Sequence, residues 1–443
     1  MPWTAGSRTM HEDPGCRPGP GEGREAVVTV SVHLSPLGHC PARYRTLMGS
    51  RRRSVVVASV VGVLAVLVAG CTGEAPVSAP QGASRVTSGP SAPSTSVSLS
   101  VVPPDNAADV VPADPVTITA VKGTLAEVAL TNEVGKQVTG ELASDGLWWT
   151  SVEPLGYAKT YTLTVTASGV DGKRATSRST FTTVNPAKQV NLLMRPGDGE
   201  TVGVGHPLVF SFDTAVDKAL VEKAIAITTD PKVDGAFYWF SDKEVHWRPE
   251  EFWKVGTKVI VNAAVYGKRL GDGIYGKEDR RAAFTVGDAM MAEANGASHQ
   301  MTVKVNGKVV RTMPISLGMP AFPSNNGIHV VSEKNENMIM DSTTYGLPYE
   351  AGGYRVHVQF ATRISNGGEF VHAAPWSVGD QGHRNVSHGC INMSTENAAW
   401  FFGFAKMGDI VVVTNSGGPN LEPWDGLGDW NLPWADWLKG GAR

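Results

Sequence analysis

The chain has 443 residues, a formal net charge of −3, 42% apolar residues and 18% charged residues. At roughly 150 residues per domain this length calls for two to four folded units rather than one core. The near-neutral balance excludes the basic excess of a nucleic-acid binder and the acidic tail that meets a cationic partner.

Residues 1–47 are rich in Gly, Pro, Arg and His without periodicity. They read as a non-native or disordered leader, with translation expected to begin at Met48. Arg51, Arg52 and Arg53 then precede the uncharged run of residues 54–70, an n-region followed by an h-region. The run ends Val68-Ala69-Gly70-Cys71, which resembles the lipobox of bacterial lipoproteins. That resemblance implies cleavage before Cys71 and a lipid on its thiol; an uncleaved signal anchor is the alternative. Residues 48–71 are thus expected to be a signal peptide with a lipobox. Either reading gives the chain a membrane as partner and sets its body outside the cytoplasmic membrane. Residues 72–97 are Ser, Pro, Ala, Gly and Thr with almost no large apolar side chains. They cannot bury enough surface to fold and are expected to be a tether, with an r.m.s. reach of roughly 25–30 Å.

Residues 98–287 carry a weak internal repeat. Trp149 is followed by the alternating run Thr160–Thr166 and Phe181; Trp247 is followed by Thr257–Asn262 and Phe284. Trp149 to Tyr161 and Trp247 to Val259 are both 12 residues. Short β-branched runs between Gly, Asp and Pro turns predict two immunoglobulin-like sandwiches, 98–186 and 187–287. Neither copy holds a polar constellation suited to chemistry, so both read as spacers or wall-binding modules.

The pattern changes near residue 288. Asn306-Gly307 between apolar runs is a tight hairpin signal. Strands are expected at 327–331, 338–340, 354–360 and 369–371, then a helix capped by Ser394 over 395–406 and a strand at 410–414. Residues 288–416 form the expected catalytic domain, mainly β with one main helix. The extension 417–443 holds Trp424, Trp430, Trp434 and Trp437. It is expected to pack on the body, most simply against a sandwich, with an exposed carbohydrate-binding strip as the alternative.

Four cysteines occur, Cys16, Cys40, Cys71 and Cys390, and only Cys390 lies inside the globular body. A lone internal thiol in an exported chain is a candidate nucleophile, set against the reading of a buried inert Cys. Such a thiol needs a base, an orienter for that base and amide donors for an oxyanion. His372, His383 and His388 are the nearby imidazoles, and spacing alone does not choose among them. Gly389 allows a close backbone approach.

The segments Phe370-Val-His372-Ala-Ala-Pro-Trp376 and Asn385-Val-Ser387-His388-Gly389-Cys390-Ile-Asn392 resemble the signature of L,D-transpeptidases with a YkuD-like catalytic domain. Met338–Gly346, Gly353–Arg355 and Asp425–Asn431 extend the likeness to the actinobacterial type with two immunoglobulin-like domains before the catalytic one. The resemblance implies a role for each matching residue. Cys390 attacks, His372 is its base, and the Ala373 carbonyl orients that base where many relatives have Ser. Amides of Gly389 and Cys390 form the oxyanion hole, and His388 shapes the site. Tyr345 and Tyr354 cover the stem peptide, Met340 lines the pocket, and Trp376, Ser387 and Asn392 belong to the substrate site. The implied reaction joins two peptidoglycan stem peptides, acyl donor and acceptor, by a 3→3 cross-link through a thioester. Carbapenem β-lactams are the implied inhibitors, and no cofactor is implied. Paired Cys–His sites lead to an expected thiol pKa of about 5–7. Competing readings are a zinc site built from His372, His383, His388 and Cys390, an L,D-carboxypeptidase or hydrolase on the same fold, and a non-catalytic wall-binding module.

Overall fold

The computed structural model describes residues 96–441. The leader, the signal segment with Cys71 and most of the tether lie outside the described residues. Among the described residues no helix is long and apolar enough to cross a membrane.

The first sandwich pairs two four-stranded sheets. One runs Ser98–Val102, Thr117–Val121, Trp148–Ser151, Gly140–Leu142; the other runs Ala107–Val110, Arg174–Thr183, Thr160–Gly169, Gly123–Asn132. Alternation along Thr160–Gly169 turns Tyr161, Leu163, Val165 and Ala167 into the core beside Ile118, Leu130 and Trp149. The second sandwich repeats the plan: Val259, Val261 and Ala263 are buried with Trp247, Phe210 and Phe284. The repeat is visible in three dimensions. Trp149 and Trp247 each lie over a glycine of the adjacent strand, Gly140 and Gly235, where any Cβ would strike the indole.

The third region holds a five-stranded sheet, in order Lys308–Pro314, Gln300–Val305, Met290–Asn295, Ile410–Thr414, Gly327–Val330. Beside it a four-stranded sheet runs Glu333–Asp341, Arg355–Arg363, Phe370–Ala373, Ile391–Met393. Asn306 (φ 48°) and Gly307 (φ 80°) make the expected tight hairpin. The helix Thr395–Phe404 is capped by Ser394, whose hydroxyl accepts the Asn397 amide at 3.2 Å. It stops two residues short of the expected Lys406, because Ala405 turns extended and buries itself in the core with Ala398 and Phe401. The strand expected at 338–340 runs from Glu333 to Asp341. Pairing with Arg355–Arg363 recruits the polar stretch 333–337, which has no strand signature of its own.

The tail lies against the second sandwich. Trp437 is fully buried, donates to the Ala236 carbonyl at 2.9 Å and stacks on Tyr238. Arg248 sits over the rings of Trp430, Trp434 and Trp437. Asn431 grips both the amide and the carbonyl of Ile328, each at 2.8 Å, so the same tail also holds the five-stranded sheet. Trp424 alone among these tryptophans is exposed, at 67%.

Candidate active site

Strands Phe370–Ala373 and Ile391–Met393 pair in parallel, with Val371 opposite Ile391 and His372 opposite Asn392. Side chains alternate along a strand and paired residues share a face. His372, Asn392 and Cys390, which precedes the strand by one residue, therefore emerge on one face although 18 residues separate His372 from Cys390. Both are nearly buried, His372 at 3% and Cys390 at 4% exposure.

The turn before the thiol is pinned from two sides. The Ser387 hydroxyl donates to the Cys390 carbonyl at 2.6 Å and accepts the Gly389 amide at 3.1 Å. The Ser324 hydroxyl donates to the Gly389 carbonyl at 2.6 Å. Gly389 has φ 117°, a backbone state that glycine alone adopts freely. In this structure the Gly389 amide, one of the expected pair of oxyanion donors, is held by the Ser387 hydroxyl.

The protonation states follow from burial. His372 Nδ1 faces the Ala373 carbonyl at 2.9 Å, an acceptor only, so Nδ1 carries the proton and Nε2 is the basic nitrogen. Burial lowers the His372 pKa to about 4, with the Ala373 carbonyl opposing. Burial raises the Cys390 thiol to about 12, against the Phe370 N–H, which favours the thiolate. Sγ lies 3.5 Å from the Gly368 carbonyl, an acceptor for a thiol proton. The resting pair is thus neutral thiol and neutral imidazole. Burial thus sets the thiol above the expected range of about 5–7, outweighing the Phe370 N–H and the Arg363 charge, which favour the thiolate.

A cavity of about 210 Å³ opens on this pair. Met340, Tyr354, His372, Trp376, Ser387, His388, Cys390 and Asn392 all line it, so the fold gathers most of the sequence-derived site. A second cavity of about 270 Å³ lies across Tyr354 and His388, which belong to both walls; Tyr345 and Gly389 line this one. Ala373 is buried in the core beneath the site and reaches it only through its carbonyl. His388 is exposed, stacked on Phe322 at 4.8 Å and tilted against Tyr354 at 5.1 Å, in the wall shared by the two cavities. His383 lines neither cavity. A larger cleft of about 560 Å³ between the second sandwich and the third region holds none of these residues.

Four contributors escaped sequence reasoning: Phe322, Ser324, Gly368 and Glu369. Ser324 is 65 residues from the carbonyl it holds, and no local pattern marks it. Gly368 and Glu369 adjoin the motif but match no part of it.

The L,D-transpeptidase catalytic domain family matches residues 291–413, and the bacterial Ig domain family matches residues 107–269, a stretch that runs across both sandwiches. The chain is 49% identical over 341 residues to L,D-transpeptidase 2 of Mycobacterium tuberculosis, covering 76% of this chain and 83% of that one. It is 41% identical to L,D-transpeptidase 5 of the same species, covering 77% of this chain and 76% of that one. Among solved structures, an L,D-transpeptidase in complex with imipenem is 38% identical, covers 52% of this chain and all of that one, and has a TM-score of 0.45. Since the match to the first of these relatives runs through most of both sequences, the chain belongs to the L,D-transpeptidase family.

Proposed function

We propose that the chain forms 3→3 peptidoglycan cross-links through a thioester on Cys390. The observation that carries this reading is the shared face of Cys390 and His372, with His372 Nδ1 tied to the Ala373 carbonyl so that Nε2 is the free base.

Because the resting pair is neutral, the thiol proton passes to Nε2 as sulfur attacks, rather than beforehand. Sγ adds to the carbonyl of the third, L-centred residue of a tetrapeptide stem. The Cys390 amide is the donor this turn leaves for the oxyanion. The tetrahedral intermediate collapses, the imidazolium protonates the departing nitrogen, and D-Ala leaves. The amine of a second stem then attacks the thioester, its proton goes to Nε2, and the thiol is restored. Met340, Tyr354 and Trp376 are placed to contact the donor stem. A β-lactam carbonyl enters the same first half-reaction and stays as a thioester. We place the body outside the cytoplasmic membrane, anchored through Cys71 or the segment before it.

The test is incubation of the protein with disaccharide-tetrapeptide and mass analysis of the products. Cross-linked dimers that vanish in Cys390→Ala support the reading. Trimmed tripeptide alone makes water the acceptor and the protein a carboxypeptidase. For His372→Ala we expect turnover to fall by about 10²–10⁴ with the fold kept.

A further inference from the structure

We propose that the cavity behind Gly389 is a binding site for a primary ammonium group, held by the carboxylate of Glu369. This rests on the reading of the site as an acyl transferase to an amine, which names the occupant: the amine-bearing side chain of the acceptor.

Glu369 is 7% exposed and lines this cavity with Gly368 and Gly389. Its Oε1 accepts the Asn325 amide at 2.7 Å and is the oxygen beside Gly389, 3.7 Å from where a Cβ on that glycine would stand, while Oε2 is enclosed with no hydrogen-bond partner. His329 Nδ1 is 3.6 Å from Oε2, but both nitrogens of that ring already face carbonyls, Ile364 at 3.2 Å and Asn325 at 3.0 Å. A buried carboxyl with one bonded amide is costly to ionise, and a cation at its cavity-side oxygen favours the ionised form. Among the described residues no Lys or Arg lines the cavity.

The rest of the wall suits a cation. The aromatic residues Phe322, Tyr345, Tyr354 and His388 line it, and ring faces attract ammonium groups. Burial, aided by the nearby Asp425, raises the Glu369 pKa to about 8, so the empty site holds a neutral acid near pH 7. His329, His388, Tyr345, Tyr354, Asp425 and Cys390 are the titratable groups around it, and Arg363 lies beyond the Tyr345 ring. An entering ammonium ionises the carboxyl: the acid releases its proton to solvent, and the carboxylate and ammonium form the pair. The location serves transfer, since the Gly368 carbonyl, next to Glu369, is also 3.5 Å from Sγ.

Calorimetric titration of the full chain with Nα-acetyl-lysine amide at pH 7, in two buffers of different ionisation enthalpy, tests this. We expect saturable binding with up to about one proton released per amine. The Nε-acetylated probe should not bind, and Glu369→Gln should bind at least about tenfold more weakly without proton release. Equal binding of the acetylated probe, equal binding by the variant, or no saturable heat overturns the proposal. If the variant does not fold, the unmodified protein still decides. Its affinity for the amine should rise about tenfold per pH unit below pH 8, and a flat profile contradicts it. No acyl donor is present, so amine binding by a protein whose Cys390 proves unreactive would sink the acyl-transfer reading while the ammonium site stands.

Discussion

The Ser387 hydroxyl and the Cys390 carbonyl meet at 2.6 Å, and the same hydroxyl takes the Gly389 amide at 3.1 Å. Ser387 thus holds one side of the turn that aims the thiol, and Ser324 holds the other. Ser387→Ala should leave two buried backbone groups unpaired, cost about 1–3 kcal/mol of stability and slow acylation about tenfold. Ser387→Thr, which keeps the hydroxyl, should stay within about threefold if its methyl group fits. Carbapenem acylation rates and denaturant midpoints check both. Equal rates in Ser387→Ala and the parent would show that the turn holds without it.

The neutral resting pair has a pH signature. With the thiol raised to about 12 and the imidazole lowered to about 4, alkylation of Cys390 by iodoacetamide should stay slow from pH 5 to 8 and keep rising into alkali. An inflection near pH 6 followed by a plateau would reveal a preformed thiolate instead.

Gly368 stands at φ 99°, and a Cβ there would lie 2.6 Å from the Tyr345 ring. Gly368→Ala should therefore push Tyr345 off its place beside Arg363, cost about 1–3 kcal/mol and disturb the second cavity. Gly379→Ala, with nothing within 4 Å of the new Cβ, is the matched control and should be near neutral. Thermal melts of the two variants make the comparison.

Between the second sandwich and the tail, His246 and Asp429 meet at 2.8 Å, His246 at 2% exposure and Asp429 at 0%. Burial works against the imidazolium, but Asp429 and then Glu244 outweigh it and raise its pKa to about 9. A raised pKa means that this stabilisation is fully present below the unfolded value of about 6.5 and is lost as pH rises through about 9. His246→Gln should melt well below the parent at pH 6, and the gap should shrink by pH 10. A gap that widens with pH would reverse the assignment.

How far the sequence reached is clear from particular residues. Asn306-Gly307 and the Ser394 cap were legible because turn and cap chemistry is local. Spacing does not choose among His372, His383 and His388; only the motif resemblance singles out His372, and the parallel pairing that sets it on one face with Cys390 is seen in the structure. Ser324 was not legible, since its bond to Gly389 joins segments far apart in the chain. Nor was the protonation of Cys390, since burial depends on everything packed around it. The Gly389 amide was assigned to the oxyanion by motif, and only the structure shows Ser387 holding it. Glu369 reads as an ordinary strand-end residue until its unpartnered oxygen is seen.

The most direct test of the account is intact-mass analysis after brief exposure to a carbapenem, followed by peptide mapping. The account predicts one adduct, on the peptide that contains Cys390, absent in Cys390→Ala and strongly slowed in His372→Ala. An adduct on another residue, or an unchanged one in Cys390→Ala, would contradict it.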